Sequence, residues 1–163
     1  MTKYVFIGFM GAGKTTIGRQ LAHIKDWPFY DMDEVIVQQA GCPVSEYFDR
    51  YGEQSFRQLE VKVLNDLLSK EGDAVISTGG GTVMMPAAQQ ALKDSDAEVI
   101  WLNTPFDVLC QRLEQDTVQR PLFVNSTPES FYALYEKRLP TYQSLADHIL
   151  DVEQQQDILT AEN

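Results

Sequence analysis

The segment Lys3–Gln20, KYVFIGFMGAGKTTIGRQ, constrains this chain more than any other. It opens with Tyr4-Val5-Phe6-Ile7, a β-branched and aromatic run that predicts a short buried strand. The chain then turns through Gly8-Phe9-Met10-Gly11-Ala12-Gly13, and a helix is predicted from Lys14. Ile17, Leu21 and Ile24 form its apolar face. Gly8, Gly13, Lys14 and Thr15 fit the pattern G-x-x-x-x-G-K-S/T of a phosphate-binding P-loop. Glycines let successive backbone N–H groups converge on a phosphate without a Cβ in the way. The helix N-terminus adds partial positive charge; a lysine neutralises terminal phosphates and the hydroxyl after it ligates a divalent cation. A dinucleotide-binding loop is the nearest competitor, since Gly11-x-Gly13 could open G-x-G-x-x-G. Thr16 stands where that loop needs Gly or Ala, and Gly13-Lys14-Thr15 has no place in it.

A length of 163 residues points to one domain, 1–163, with a real core. With 44% hydrophobic and 23% charged residues, disorder is not expected. The formal charge of −11 argues against a nucleic-acid or anionic-membrane surface, so any anionic ligand depends on a few basic residues gathered locally. No apolar run reaches membrane-spanning length and the N-terminus reads as a strand, so a cytoplasmic location is expected. Cys42 and Cys110 form no metal or redox motif; Cys110 shares a helical face with Phe106, Leu109 and Leu113 and reads as core.

Along the chain, Asp26-Trp27-Pro28 is a turn, and Phe29–Glu34 reads as extended, which would point Asp31 and Asp33 the same way. Val35–Ala40 reads as a helix stopped by Gly41, Ser45 as the N-cap of the next, and Glu53–Lys70 as a longer helix. Ala74–Ser77 is a second buried-strand signal and runs into Thr78-Gly79-Gly80-Gly81; Pro86 opens a helix. Glu98–Leu102 is a strand, followed by a helix over Pro105–Gln115. Asp116–Ser126 has no apolar periodicity and carries Arg120-Pro121. A helix start follows at Thr127, then a strand around Ile149–Val152 and a short C-terminal helix. Strands alternating with helices predict an α/β sandwich on a mostly parallel sheet.

Several residues outside the loop carry chemistry. Asp31 and Asp33 support two readings equally. One is capping of the helix that follows. The other sets them at a strand end beside the glycine loop, one carboxylate holding Mg²⁺ through water and the other accepting a proton from an attacking hydroxyl. Arg57 and Glu60 read as a surface ion pair of tenths of a kcal/mol (~0.3) unless a ligand uses the arginine. Arg138 aligns with the stripe Phe131, Leu134, Tyr135, so its guanidinium either snorkels or binds something. Three successive glycines after a strand imply backbone approaching a ligand. Arg120 falls in the long unpatterned segment, where a solvated loop arginine is the commoner reading and a mobile lid the functional one. His23 and His148 have no partner pattern.

Taken in order, GFMGAGKTT, DMD, FRQLE, STGGG, TVQRPL and KRLPTY resemble the shikimate kinase family across nearly the whole chain. The resemblance implies a nucleoside monophosphate kinase-like, three-layer α/β/α fold with a five-stranded parallel sheet and a mobile lid at about 116–126. It implies transfer of the ATP γ-phosphoryl group, with Mg²⁺, to the 3-hydroxyl of shikimate in aromatic amino acid synthesis. Gly11, Ala12, Gly13, Lys14, Thr15 and Thr16 would cradle the ATP phosphates, with Thr15 as metal ligand and Asp31 near the metal. Asp33 would hold the substrate hydroxyls and act as base. Arg57, Gly79, Gly80, Gly81 and Arg138 match shikimate-binding positions, and Glu60 matches the acid that orients Arg57. Ser77 sits where the family approaches the metal's water shell, and Arg120 matches the lid arginine, a group worth about 10³–10⁵ in rate in phosphoryl transfer.

The sequence departs from the family pattern at two places. Gln119 is an extra residue before Arg120, and Phe123 follows Leu122 where the family more often has Leu. Val152–Asp157 reads VEQQQD, putting Gln155 at the expected adenine-side contact where the family usually ends in a basic residue and Asn-Pro. A gluconate or nucleoside monophosphate kinase is the alternative enzyme, although neither is expected to share the DMD, FRQLE and KRLPTY set. A nucleotide-dependent switch is the non-enzyme alternative, and the chain has no N-K-x-D block for guanine. Shikimate and ATP are the expected partners of a monomer.

Overall fold

The computed structural model describes residues 1–115 and 126–161. The predicted lid at about 116–126, with Gln119, Arg120 and Phe123, lies outside the described residues apart from Ser126. Five parallel strands form one sheet in the order β2-β3-β1-β4-β5. They are β1 (Lys3–Ile7), β2 (Phe29–Asp31), β3 (Ala74–Ser77), β4 (Glu98–Leu102) and β5 (His148–Leu150). Among the described residues seven helices run around them: α1 (Lys14–Lys25), α2 (Met32–Ala40), α3 (Val44–Leu68), α4 (Pro86–Asp94), α5 (Phe106–Gln115), α6 (Pro128–Leu145) and α7 (Val152–Thr160). A 3-10 turn spans Thr82–Met84.

The layering follows from residue alternation. Phe6 on β1 lies against Gly18 of α1, where an added Cβ would stand 3.4 Å from the Phe6 ring and 2.8 Å from that of Phe29. A side chain at position 18 would therefore push α1 off the sheet. Ile7, next in sequence, faces the other way and pairs with Trp101, which stacks on Tyr142 of α6 at 6.0 Å. Helices thus cover both faces, α1 with α7 on one side and α6 on the other. Val5, Ile7, Val75, Ile76, Leu64 and Phe131 are fully buried among them. Strand register brings the C-terminal ends together, with Phe6 opposite Ser77 and Ser77 opposite Asp31. That edge is where an open α/β sheet places its ligand.

Four local expectations are corrected. The extended stretch ends at Asp31, and α2 begins at Met32, so Asp33 lies in a first helical turn rather than sharing a strand face with Asp31. Asp31 is its N-cap, accepting from the Asp33 N–H at 2.9 Å, because carboxylates are favoured at a helix's positive end. Pro43, not Ser45, precedes α3, since its extended backbone turns the chain and its carbonyl receives the first helical bond from Tyr47. The predicted break before Glu53 is a kink: Gly52 adopts φ 84° inside an otherwise continuous α3, which ends at Leu68. The last strand is shorter than expected because Asp151 caps α7, its side chain accepting from Gln154. Among the described residues no helix is long and apolar enough to cross a membrane.

Candidate active site

The glycine loop leaves β1 and enters α1 at Gly13, which adopts φ 95° and ψ 19°. A glycine there contributes no side-chain oxygen to compete for the donors of the first turn, which leaves them aimed at an incoming anion. Gly11 also has positive φ, 84°, while Ala12 is buried and Thr16 is exposed on the helix start. Lys14 is buried, with Nζ donating to the carbonyls of Gly8 at 2.6 Å and Phe9 at 3.2 Å. Its ammonium therefore spans the loop it serves. Thr15 Oγ1 donates to Asp31 Oδ2 at 3.0 Å, so the hydroxyl of the loop and the carboxylate at the end of β2 form one oxygen pair.

That pair is chemically suited to a metal. Hydroxyl and carboxylate oxygens suit a small hard cation, which keeps several waters and takes only one or two protein ligands beside substrate phosphates. Among the described residues no group of three or more His, Cys, Asp or Glu could form an all-protein cage. Ser77 is buried at the end of β3, in register with Asp31.

Four residues at this end and beside it gave no clear sequence signal. Arg112, on α5, donates from Nη1 to the Gly11 carbonyl at 3.1 Å and would lie 3.3 Å from a Cβ on Gly13. It lies three residues after Leu109, at the margin of the apolar stripe, a position that normally reads as a solvated edge. Thr104, after β4, is buried and donates to the Ala12 carbonyl at 3.3 Å. Gln155 meets Thr104: its Nε2 donates to Thr104 Oγ1 at 3.2 Å and to the Leu150 carbonyl at 3.1 Å. At 2% exposure, the Gln155 amide is committed to protein partners and braces the loop from behind. Thr82 and Tyr142 are the other two, and both belong to the second half of the site.

The second half is assembled from four separate segments. Arg57 in α3 donates from Nη1 to Glu60 Oε1 at 2.6 Å, and Glu60 is 2% exposed. The pair is therefore not the solvated surface ion pair the spacing alone describes. Arg138 on α6 is also buried; it lies over the Phe9 ring at 5.5 Å and donates to the Gly80 carbonyl at 3.2 Å. Tyr142, one turn on, donates to the same carbonyl at 3.0 Å. Burial pushes the Tyr142 phenol up to about 12 against the pull of the Arg138 charge, so it stays a donor at neutral pH.

The three glycines are the meeting point. A Cβ on Gly81 would stand 3.0 Å from Arg57 Nη1 and 3.5 Å from Arg138 Nη2. A Cβ on Gly79 would stand 3.2 Å from both Asp33 Oδ1 and Glu60 Oε2, and 2.9 Å from Thr82 Oγ1. Gly80 approaches the backbone of Met10, which joins the two halves. Two guanidinium forks thus flank one glycine, with Asp33 one glycine away and the phosphate loop adjoining. Burial raises the Glu60 carboxyl above its usual value, countered by the Thr82 hydroxyl and the Arg57 charge, while Asp33 adds to the rise. Such a site can hold a planar carboxylate between the arginines and a hydroxyl beside Asp33.

Comparison with known proteins fits this geometry. The family model described as shikimate kinase matches residues 10–162. The chain belongs to the shikimate kinase family. It is 44% identical over 149 residues to a shikimate kinase of Streptococcus gordonii, covering 91% of this chain and 89% of that protein. Among solved structures, a shikimate kinase of Acinetobacter baumannii in complex with shikimate superposes with a TM-score of 0.85 at 34% identity, covering 97% of this chain and 90% of that one. A shikimate kinase of Bacteroides thetaiotaomicron gives the same TM-score at 31% identity, with 97% and 94% covered. The five-stranded parallel sheet and P-loop kinase fold are therefore those of the family.

Proposed function

We propose that this chain transfers the γ-phosphoryl group of ATP to the 3-hydroxyl of shikimate, giving shikimate 3-phosphate on the route to aromatic amino acids. The observation that carries this is the convergence of Arg57 and Arg138 on Gly81, with Asp33 near Gly79, in a chain matched almost end to end by the family. The Acinetobacter baumannii relative, whose structure holds shikimate, supports the same acceptor.

Gly11–Thr16 cradle the phosphates through backbone donors, and Lys14 moves from the loop carbonyls toward the transferring group. Thr15 and Asp31, whose oxygens already meet, would hold Mg²⁺, which would supply charge neutralisation for the transferring phosphate. Arg57 and Arg138 take the shikimate carboxylate as bidentate donors, and Gly79–Gly81 let its ring lie against backbone. Asp33 orients the 3-hydroxyl and receives its proton; in a largely dissociative transition state the orientation matters more than the basicity. The family resemblance gives Arg120, which lies outside the described residues, to the phosphates, and Gln155 acts on the nucleotide side. The protein works as a cytoplasmic monomer, one domain of residues 1–163.

The test is ADP release with Mg·ATP and shikimate, gluconate or AMP at matched concentrations. Turnover with shikimate alone is the expected result. Turnover with gluconate or AMP instead would keep the phosphate chemistry and remove the roles given to Arg57 and Arg138. Binding of ATP without turnover on any acceptor would favour a nucleotide-dependent switch.

A further inference from the structure

We infer that Thr82 is a positioning residue for the acid-substrate half of the site: its hydroxyl fixes the Glu60 carboxylate in the orientation that aims Arg57. This rests on the assignment of Arg57 to the substrate carboxylate.

Thr82 is fully buried, and its Oγ1 donates to Glu60 Oε2 at 2.5 Å. The other oxygen, Oε1, takes Arg57 Nη1 at 2.6 Å. One carboxylate is therefore held at both ends, by a hydroxyl from the 3-10 turn and by a guanidinium from its own helix. Without the hydroxyl, rotation about the last side-chain torsion of Glu60 would be limited only by Arg57, whose own stem is flexible and 28% exposed. With it, the carboxylate plane is set by buried backbone. The Thr82 N–H donates to the Gly79 carbonyl, and the Thr82 carbonyl accepts from Met85.

Gly79 makes this contact possible. A Cβ at that position would lie 2.9 Å from Thr82 Oγ1 and 3.2 Å from Glu60 Oε2, so any side chain there would drive the hydroxyl off the carboxylate. The first of the three glycines thus serves the Glu60–Thr82 bond, while the third, Gly81, borders the arginines themselves. The hydroxyl also favours the ionised carboxylate against the burial that opposes it and against the Asp33 charge nearby, so Glu60 can serve as a counterion to Arg57.

Steady-state kinetics with both substrates varied test this in three variants. Thr82→Val, which removes the hydroxyl at nearly constant volume, is expected to raise KM for shikimate about tenfold, the effect of losing one charge-assisted bond. Its kcat and KM for ATP should stay within about twofold. Thr82→Ser keeps the donor and loses a methyl, and should restore shikimate KM to within about twofold of the wild type. An unchanged KM for shikimate in Thr82→Val, an equal rise in both KM values, or a Thr82→Ser variant as impaired as Thr82→Val would each overturn the inference. If Thr82→Val does not fold, Glu60→Gln with Thr82→Val leaves no carboxylate stranded. Its shikimate KM should equal that of Glu60→Gln alone, and a further rise overturns the role. Arg57→Ala is the control: if it leaves shikimate KM unchanged, the substrate assignment itself fails, whatever Thr82 does.

Discussion

The two halves of this site are built in opposite ways. The phosphate half is one contiguous stretch, β1 to α1, in which the proposed chemistry falls to backbone donors and one lysine, and Lys14 bonds to carbonyls only five and six residues away. The acid half draws Asp33, Arg57 and Glu60, Gly79–Thr82, and Arg138 with Tyr142 from four parts of the chain. Its function depends on side chains held in register by one another. A substitution in the first half should remove a charge or a donor and little else. A substitution in the second should propagate along the chain Thr82, Glu60, Arg57.

The largest expected effect lies in the phosphate half. Lys14→Ala should lower kcat by roughly 10²–10³, the scale of losing one preorganised donor at the developing charge. Lys14 is buried and bonded to Gly8 and Phe9, so the variant should also lose about 1 kcal/mol of stability. Denaturant unfolding beside single-turnover kinetics separates the two losses. Near-normal turnover would remove Lys14, and with it the phosphate assignment of the loop.

Arg138→Lys comes next and tests the acid half. The charge survives but the planar fork does not, and the lysine cannot donate both to Gly80 and toward a carboxylate at Gly81 in the same geometry. KM for shikimate should rise about tenfold with KM for ATP unmoved. A rise in KM for ATP instead would place Arg138 on the wrong ligand and erase the division into halves.

That division also explains what was legible in the sequence. The phosphate half was readable because its parts are adjacent: a strand, a glycine spacing and a helix are local signals, and α1 begins at Lys14 as predicted. The parallel sheet was readable from the alternation of strands and helices. Arg57, the glycines and Arg138 stood out locally, but their assignment to shikimate came from the family resemblance; nothing in their spacing says that Gly81 brings two arginines together. Thr82 carried no sequence signal because its partner is 22 positions away. The strand reading of Asp33 failed because a carboxylate cap at Asp31 starts α2 three residues sooner than apolar periodicity implied. Gln155 was placed by resemblance alone, and the burial of its amide comes from the packing of α7 behind the loop.

A smaller effect should distinguish the halves by pH. Glu60 is raised above its ordinary value chiefly by burial, with Thr82 and Arg57 pulling it down and Asp33 pushing it up. As pH falls through that raised value, Glu60 takes a proton and Arg57 loses its counterion. The acid limb of kcat/KM for shikimate should therefore lie above the usual carboxylate range, and Glu60→Gln should abolish that limb while lowering the plateau. The same limb should be missing from kcat/KM for ATP. The stability sign runs the other way. A native state that holds this proton more tightly than the unfolded chain gains stability as pH is lowered toward the unfolded value near 4.5. Wild type should gain on Glu60→Gln over that interval in paired thermal melts.

The smallest effect tests where the phosphate half stops being local. Gln155 reaches it from the C-terminal helix through Thr104, whose hydroxyl bonds to the Ala12 carbonyl. Gln155→Leu keeps the volume but leaves the Leu150 carbonyl and the Thr104 hydroxyl short of a partner, which should cost about 1–3 kcal/mol of stability. If the residue acts only by bracing the loop, KM for ATP should rise about threefold, because a loop held from one side fewer must be ordered by the nucleotide. KM for shikimate should not move. A tenfold rise in KM for ATP with stability unchanged would mean that the amide leaves Thr104 to touch the nucleotide directly. In that case the phosphate half would be assembled across the chain much as the acid half is, and the contrast between them would reduce to how many of the assembled groups are side chains.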